Sequence, residues 1–490
     1  MSGTPVASVE ISPARPQIEY SKHIFGHFIE HFHRQVYGGI FEPGSPLSDE
    51  RGFRLDVLEA LRELRVPNVR WPGGCFVSSY DWLDGVGPDR LPTYDPAWRV
   101  TDPNTFGTGE FLAWCEELGA EAYICTNAGT GTPKEMAAWL EYANRPVGSR
   151  WADLRAAHGH PDPYRVPFWS IGNENYGDWE IGAKSGGEWA DFVAESAKLM
   201  RRIDPEVELF AAAIEDRDWV LPLLDRAGRF LNSVSIHGYW DPIHQVNEPA
   251  SYLGAMAKTL EPERQIALVR AMIHVSGQHH ITIAFDEWNL RGWHHPVGNT
   301  PAAIAARDLN DDNSTYTMAD ALFSAVFLNS CLRNADKVTM ANLAPTVNAR
   351  GPLYVHATGL VRRTTFHVMQ MYSTLLAARV LDTSVQSALL DTGVGEVPVV
   401  DAIATGDDDG TTVIALVNKS DVNAADVRVR IDGLALNGSF DATMLVGSHT
   451  DAYNDIDRPD AVVPESTVLT FVDGVVNLPA HSVTLCRVRA

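Results

Sequence analysis

Two stretches of the chain, Phe168-Trp-Ser-Ile-Gly-Asn-Glu-Asn-Tyr176 and Ile281-Thr-Ile-Ala-Phe-Asp-Glu-Trp-Asn289, run from apolar residues into Asn173-Glu174 and Asp286-Glu287. Each has the composition of a strand that ends on carboxylates. Two carboxylates on separate strands suit glycoside hydrolysis, in which one acid protonates the leaving oxygen while a base or nucleophile acts at the anomeric carbon. Glutamate is a poor N-cap and a poor turn former, so a purely structural reason for ending both strands on it is weak. Rim salt bridges are the plainer alternative. Lys+Arg number only 39 against 63 Asp+Glu, however, and aromatic and amide residues surround both glutamates.

Those two strands belong to a longer series. From about residue 21 to residue 345, short apolar runs alternate with stretches of helical period, the pattern of repeated βα units. Eight strands are predicted, over His23–Glu30, Asn68–Pro72, Glu121–Asn127, Phe168–Glu174, Glu208–Ala213, Ser233–Trp240, Ile281–Asn289 and Val338–Leu343. Helices are predicted between them, over Leu55–Arg65, Gly109–Leu118, Lys134–Tyr142, Glu188–Arg202, Ile266–His274 and Thr317–Asn334. The expected fold class is α/β, a (β/α)8 TIM barrel, whose chemistry belongs at the C-terminal ends of the strands. Those ends carry Glu30, Arg70, Asn127, Asn173-Glu174, His237, Tyr239, Asp286-Glu287 and Asn342. Capping or turn formation accounts equally well for Asn127 or Asn342 taken singly. Glu174 and Glu287 fall on the fourth and seventh strands, so both can reach one substrate at the barrel mouth.

After about residue 365 the helical period fades into alternating strands with turns between them, as over Val397–Ala404, Thr411–Val417, Ala425–Ile431, Thr467–Val472 and Ser482–Val488. The segment Val6–Ile11 alternates in the same way. The expected organisation is an N-terminal strand in residues 1–20 that joins a β-sandwich, a catalytic barrel over 21–365, and a C-terminal all-β, jelly-roll-like sandwich over 366–490.

A formal net charge of −24 over 490 residues sets nucleic acid and anionic membranes aside as partners, because such binding rests on Lys and Arg neutralising phosphates. With 45% hydrophobic and 21% charged residues the chain is globular rather than disordered. No apolar run reaches the length of a membrane span. The first residues show no basic segment followed by an apolar core, so a cytoplasmic protein is expected. Cys75, Cys115, Cys125, Cys331 and Cys486 lack CxxC spacing and read as reduced thiols, not as a disulfide framework or a zinc ribbon.

Four motifs stand in order along the chain: Phe25-Gly-His-Phe-Ile-Glu-His31, Arg70-Trp-Pro-Gly-Gly-Cys-Phe76, Trp169-Ser-Ile-Gly-Asn-Glu174 and Phe285-Asp-Glu-Trp-Asn289. Together they resemble the α-L-arabinofuranosidases of glycoside hydrolase family 51, and the likeness covers nearly the whole chain. The resemblance implies a furanoside oligosaccharide substrate cut at its non-reducing end with retention, no cofactor, no metal, and a homo-oligomer, frequently a hexamer. It places Glu174 as acid/base and Glu287 as nucleophile. Asn173 is placed at the sugar 2-hydroxyl, and Glu30, Cys75 and Tyr239 in the furanose pocket. Trp179 and Trp293 become aromatic walls, while Arg70 and His237 orient the carboxylates. On this reading the charge of Glu287 raises the pKa of Glu174 and keeps it protonated. Glu30, Glu174 and Glu287 then stabilise the developing oxocarbenium ion with negative charge.

The eighth strand departs from the family pattern. Where the family commonly reads Asn-Leu-Ala-Gln, this chain has Asn342-Leu-Ala-Pro-Thr-Val-Asn348. Pro345 has no side-chain amide and no N–H. A sugar contact is then lost, supplied by a neighbour such as Thr346 or Asn348, or unneeded for another furanose, with β-D-galactofuranoside as the competing substrate. The loops Gly292-Trp-His-His-Pro296 and Tyr239-Trp-Asp-Pro242 are the candidates for reshaping the pocket. A non-catalytic carbohydrate binder would use the 13 Trp for stacking but leaves the paired glutamates unexplained. A metalloenzyme could be imagined on His27, Glu30, His31 and His33. On a strand, however, the i, i+4 spacing has no ligand meaning, and no HExxH occurs.

Overall fold

Alternating apolar and polar positions, together with strand ends that stop on Asn, Glu and Asp, fold into a closed parallel barrel. The computed structural model describes residues 5–15, 17–243, 248–293, 300–308 and 311–489. Of the loop singled out above, His294, His295 and Pro296 lie outside the described residues. The barrel strands are β1 (Gly26–Phe28), β2 (Asn68–Trp71), β3 (Glu121–Thr126), β4 (Phe168–Ile171), β5 (Glu208–Ala212), β6 (Ser233–Pro242), β7 (Thr282–Gly292) and β8 (Val338–Leu343). They pair in chain order, and β8 returns to β1. All eight expected strands are present, and a mostly-β unit follows them. Their lower lumen is filled by Tyr123, Phe168, Phe210, Ala284 and Met340, so chemistry is confined to the mouth above this plug.

The first strand is shorter than expected. Lys22–Phe25 forms a turn of 3-10 helix, begun by Ser21, whose hydroxyl accepts from the His23 N–H. Two of the polar strand ends prove structural. Asn342 donates to the His27 carbonyl and to Asn68 Oδ1, both at 2.7 Å. Asn127 Oδ1 accepts from the backbone N–H groups of Gly129, Thr130 and Gly131.

The outer helices form where the sequence supplies both a cap and an apolar stripe. Gly186–Ile203 starts at Ser185, whose hydroxyl accepts from the Glu188 N–H, and buries Trp189, Val193, Ala197 and Met200 along one face. The helix Arg217–Ala227, not among those named above, carries Pro222 inside it, which masks its helical period; Asp216 starts it by accepting from the Asp218 and Trp219 N–H groups. Met318–Arg333 is buried on nearly every side. It packs on β7 and β8 and also on the sandwich strands Val400–Gly406 and Ser482–Arg489. Asn329 and Arg333 on this helix bind Asp401 of the sandwich.

The sandwich is one sheet folded over a second apolar core. Ala7–Ser12 lies between Arg379–Ser387, which it pairs antiparallel, and Ala425–Ile431, which it pairs parallel. Its Ala7, Val9 and Ile11 point into that core. The helix Thr364–Leu375 spans residue 365 and packs on both units.

Removing most of a buried isoleucine leaves a cavity that the sheet cannot close. Ile11→Ala is expected to lower unfolding stability by about 2–5 kcal/mol in urea or thermal titrations, while kcat stays at the wild-type value.

Candidate active site

The chain breaks its strand geometry at both glutamates. After β4, Gly172 takes φ 71°, and a Cβ there would lie 2.3 Å from Asn175 Oδ1, so only glycine fits. Glu174 itself has φ 32°, an uncommon backbone for a residue with a side chain. On β7 the register slips between Ser235 and His237 on the β6 side, and between Phe285 and Trp288 on the β8 side. Consecutive strand residues normally face opposite ways; this irregularity lets Asp286 and Glu287 share the same buried network.

Arg70, at the end of β2, is the hub of that network. It donates to Glu287 Oε1 at 2.5 Å, Asn173 Oδ1 at 3.1 Å and Cys125 Sγ at 3.3 Å. Its Nε lies 3.3 Å from Asp286 Oδ2. Tyr239 donates to Glu287 Oε2 at 2.8 Å, so both oxygens of Glu287 are held. Glu174 is held by His237 Nδ1 at 2.9 Å and by Trp179 Nε1 at 2.7 Å. Asp286 accepts from Tyr123 at 2.7 Å and from Ser235, and lies 3.3 Å from His237 Nε2. One oxygen each of Glu174 and Glu287 and a ring nitrogen of His237 all fall within 4.8 Å of one another.

The neighbours decide the proton positions. Burial alone would lower the pKa of His237, but Glu287, Asp286 and Glu174 push it up to about 10, so it is an imidazolium at neutral pH. Burial alone would raise Glu174; the hydrogen bond and charge of His237, with Trp179 and Arg70, outweigh it and hold the carboxyl below its ordinary value. The expectation from sequence is therefore corrected: the dominant neighbour of Glu174 is the His237 cation and not the charge of Glu287. Asp286 falls to about 2 because Arg70 and His237 overcome its burial. Glu30 goes the other way. Burial and the charge of Glu287 raise it well above the carboxylate range, so it favours the neutral acid and does not add the negative charge assigned to it above.

Glu30 Oε1 accepts from the Phe76 N–H at 2.8 Å and from Trp98 Nε1 at 2.7 Å. Backbone comes unusually close here. A Cβ on Gly73 would lie 2.2 Å from Glu30 Cγ, and one on Gly74 would lie 3.1 Å from Glu287 Oε1. Trp293 lies beneath the Arg350 guanidinium at 4.6 Å and beside Phe32 and His33. All ten residues singled out in the sequence gather here, and all but the buried Arg70 line one cavity of about 850 Å³. Pro345 lines it too. Thr346 and Asn348 do not stand in for the missing amide: Thr346 donates to the Phe28 carbonyl and Asn348 to the Arg34 carbonyl.

A metal is poorly served. Cys75, Glu174 and Glu180 form one cluster of potential ligands, and Glu174, His237 and Glu287 another. Burial keeps the Cys75 thiol protonated, and His237 holds its proton against the surrounding carboxylates, so neither set offers a free soft or imidazole donor. The three early histidines disperse: His27 is buried in β1, His31 sits between Asp102 and Trp71, and His33 faces Asp311 at 3.5 Å.

The family profile "Alpha-L-arabinofuranosidase 1 domain" matches residues 60–258, and "Alpha-L-arabinofuranosidase C-terminal domain" matches 286–482. A probable α-L-arabinofuranosidase C of Aspergillus niger is 34% identical over 99% of this chain and 98% of its own length. The chain belongs to glycoside hydrolase family 51, the α-L-arabinofuranosidases. An intracellular exo-α-(1→5)-L-arabinofuranosidase of Streptomyces lividans is 35% identical over 94% of this chain and 71% of its own length. The arabinose complex of the Thermotoga maritima α-L-arabinofuranosidase superposes with TM-score 0.88 at 33% identity, covering 99% of this chain and 100% of that one.

Two residues of this family 51 chain escape sequence reasoning. Trp98 lies between the short strands Thr93–Asp95 and Val100–Asp102, with no local pattern to mark it, and stacks on Phe32 with ring centroids 3.8 Å apart. Glu180 follows Trp179 and accepts from Asn173 Nδ2 at 3.2 Å. Burial raises its pKa to about 7, although Ser78 and Cys75 favour the charged form. A raised carboxyl gives full stability below its unfolded pKa and withdraws it as pH climbs through the folded one. Glu180→Gln is thus expected to match wild type near pH 4 and to exceed it above pH 7, by up to about 3 kcal/mol, in denaturant unfolding at the two pH values.

Proposed function

We propose that this family 51 chain removes terminal α-L-arabinofuranosyl residues from oligosaccharides by double displacement, with Glu287 as nucleophile and Glu174 as acid/base. The observation that carries this reading is the approach of Glu174 and Glu287 to within 4.8 Å around His237, in the cavity floor. A pair this close leaves no place for the water that an inverting enzyme holds under the sugar.

Arg70 and Tyr239 aim Glu287 at the anomeric carbon. Glu174 protonates the departing oxygen in its acid form, a form that sugar binding favours by expelling water and placing an ether oxygen against it. The His237 imidazolium, 2.9 Å from Glu174, draws that acid toward ionisation. It thereby prepares the carboxylate that deprotonates water in the second step, once Glu287 is esterified and its charge is gone. Glu30, held neutral, can donate to a sugar hydroxyl. A cavity of about 850 Å³ leaves space for the sugar beyond the scissile bond. The exo action and intracellular location in the name of the Streptomyces lividans relative support exo cleavage of oligosaccharides inside the cell. Homo-oligomer assembly, as a hexamer, belongs to the same reading.

Glu287→Ala and Glu174→Ala are each expected to abolish turnover of an ordinary arabinofuranoside, and azide is expected to restore only Glu174→Ala, as an α-configured glycosyl azide, the configuration that two successive inversions leave. Near-normal activity in Glu287→Ala would overturn the assignment. 4-Nitrophenyl α-L-arabinofuranoside is expected to be cleaved in preference to the β-D-galactofuranoside; the reverse order would replace the substrate. Removing the cation in His237→Asn lets the pKa of Glu174 rise, so the alkaline limb of kcat/KM is expected to move to higher pH.

A further inference from the structure

Gln35 lies beyond the end of β1 with its side chain fully buried, and it lines the same cavity as Glu30, Glu287 and Pro345. The direction of its amide is decided by one contact: the Glu30 backbone N–H donates to Gln35 Oε1 at 2.9 Å. A backbone N–H can only donate, so the oxygen must face it and the NH2 group must face elsewhere. Among the described residues, Gln35 Nε2 has no hydrogen-bond partner. Buried donors are almost always satisfied in a native protein, and an unsatisfied one at a cavity wall calls for a ligand.

The neighbouring wall explains why a donor is needed there. β8 pairs with β1 through Asn342 with Gly26 and Leu343 with His27, and then delivers Pro345 to the cavity. Proline has no N–H and no polar side chain. Thr346 and Asn348 turn away, one to the Phe28 carbonyl and the other to the carbonyl of Arg34, the residue before Gln35. That second bond also pins the β8 loop beside Gln35. The Asn348 oxygen is taken as well, by the Val355 N–H at 2.8 Å.

We propose that Gln35 is a substrate-binding residue that helps set sugar specificity, its Nε2 donating to a hydroxyl oxygen of the furanose in the sector that Pro345 leaves without a donor. The proposal rests on the reading of the site as a furanosidase and adds to it the residue that reads one hydroxyl. Because the other end of the same amide holds the Glu30 backbone, a sugar that engages Gln35 also meets Glu30 in a fixed position.

The test uses the full-length enzyme with 4-nitrophenyl α-L-arabinofuranoside and its 2-, 3- and 5-deoxy analogues. Gln35→Met has similar length and lacks both donor and acceptor; Gln35→Leu lacks both in a shorter side chain. Both variants are expected to lose at least about tenfold in kcat/KM on the parent glycoside, carried mainly by KM, with melting temperatures near wild type. On one deoxy analogue the wild type is expected to suffer a similar loss and the variants almost none, since the missing hydroxyl and the missing donor are the same contact. Wild-type kinetics in the variants, or an equal loss on every analogue, would overturn the proposal. Wild-type turnover checks the underlying reading separately. If the arabinofuranoside is not cleaved, that reading fails, and the same ratios taken on the furanoside that is cleaved still decide the role of Gln35.

Discussion

One buried guanidinium holds the site together. Arg70 comes from β2, yet it grips Glu287 on β7, Asn173 after β4 and Cys125 on β3, and it faces Asp286. The rings of Phe28 and Tyr123 lie 5.3 Å and 5.9 Å from it. A fully buried charge is costly unless every donor finds a partner, and here the partners can be supplied only by several strands at once. Closing the barrel and assembling the reactive carboxylates are therefore one event. The same charge is what makes Asp286 tolerable deep in the barrel, where burial by itself would protonate it.

The electrostatics around that hub are a balance of groups that would each be unstable alone. His237 remains charged because Glu174, Asp286 and Glu287 surround it, and Glu174 is held low because His237 is charged. Glu30, set behind Gly73 and Gly74 and facing the charge of Glu287, drifts the other way. Carboxyls of one residue type thus divide into an ionised pair member, a neutral donor and, at Glu180, a group poised near neutrality. Distance and burial make the division; composition has no part in it.

The segment Arg70-Trp-Pro-Gly-Gly-Cys75 shows how tightly chain and site are joined. Its arginine anchors the carboxylates, and its glycines let the backbone lie against Glu30 and Glu287, where a Cβ would collide. Its cysteine forms part of the cavity wall. The wall that follows β8, two strands away, lines the cavity with Ala344, Pro345, Ala349 and Arg350 and is polar there only at Arg350, and this makes the amide of Gln35 conspicuous.

Strand count, strand order and the two strand-end glutamates were legible in the sequence, because each depends on residues adjacent in the chain: an apolar run, then Asn173-Glu174 or Asp286-Glu287. Residues whose motifs sit on barrel strands, such as Arg70, His237 and Tyr239, were found for the same reason. Tertiary structure alone decided what depends on closeness between distant segments. Trp98 reaches Glu30 from a separate pair of short strands, and Gln35 shares a cavity with Pro345 only once β8 delivers that proline to it. Asn127 and Asn342 turned out to serve the backbone. The proton on His237 follows from the carboxylates of Glu287, Asp286 and Glu174 gathered around it from separate strands, and the lowered pKa of Glu174 from its 2.9 Å contact with that imidazolium. Sequence specifies which groups ionise; their charge is set by burial and by neighbours that only the folded chain provides.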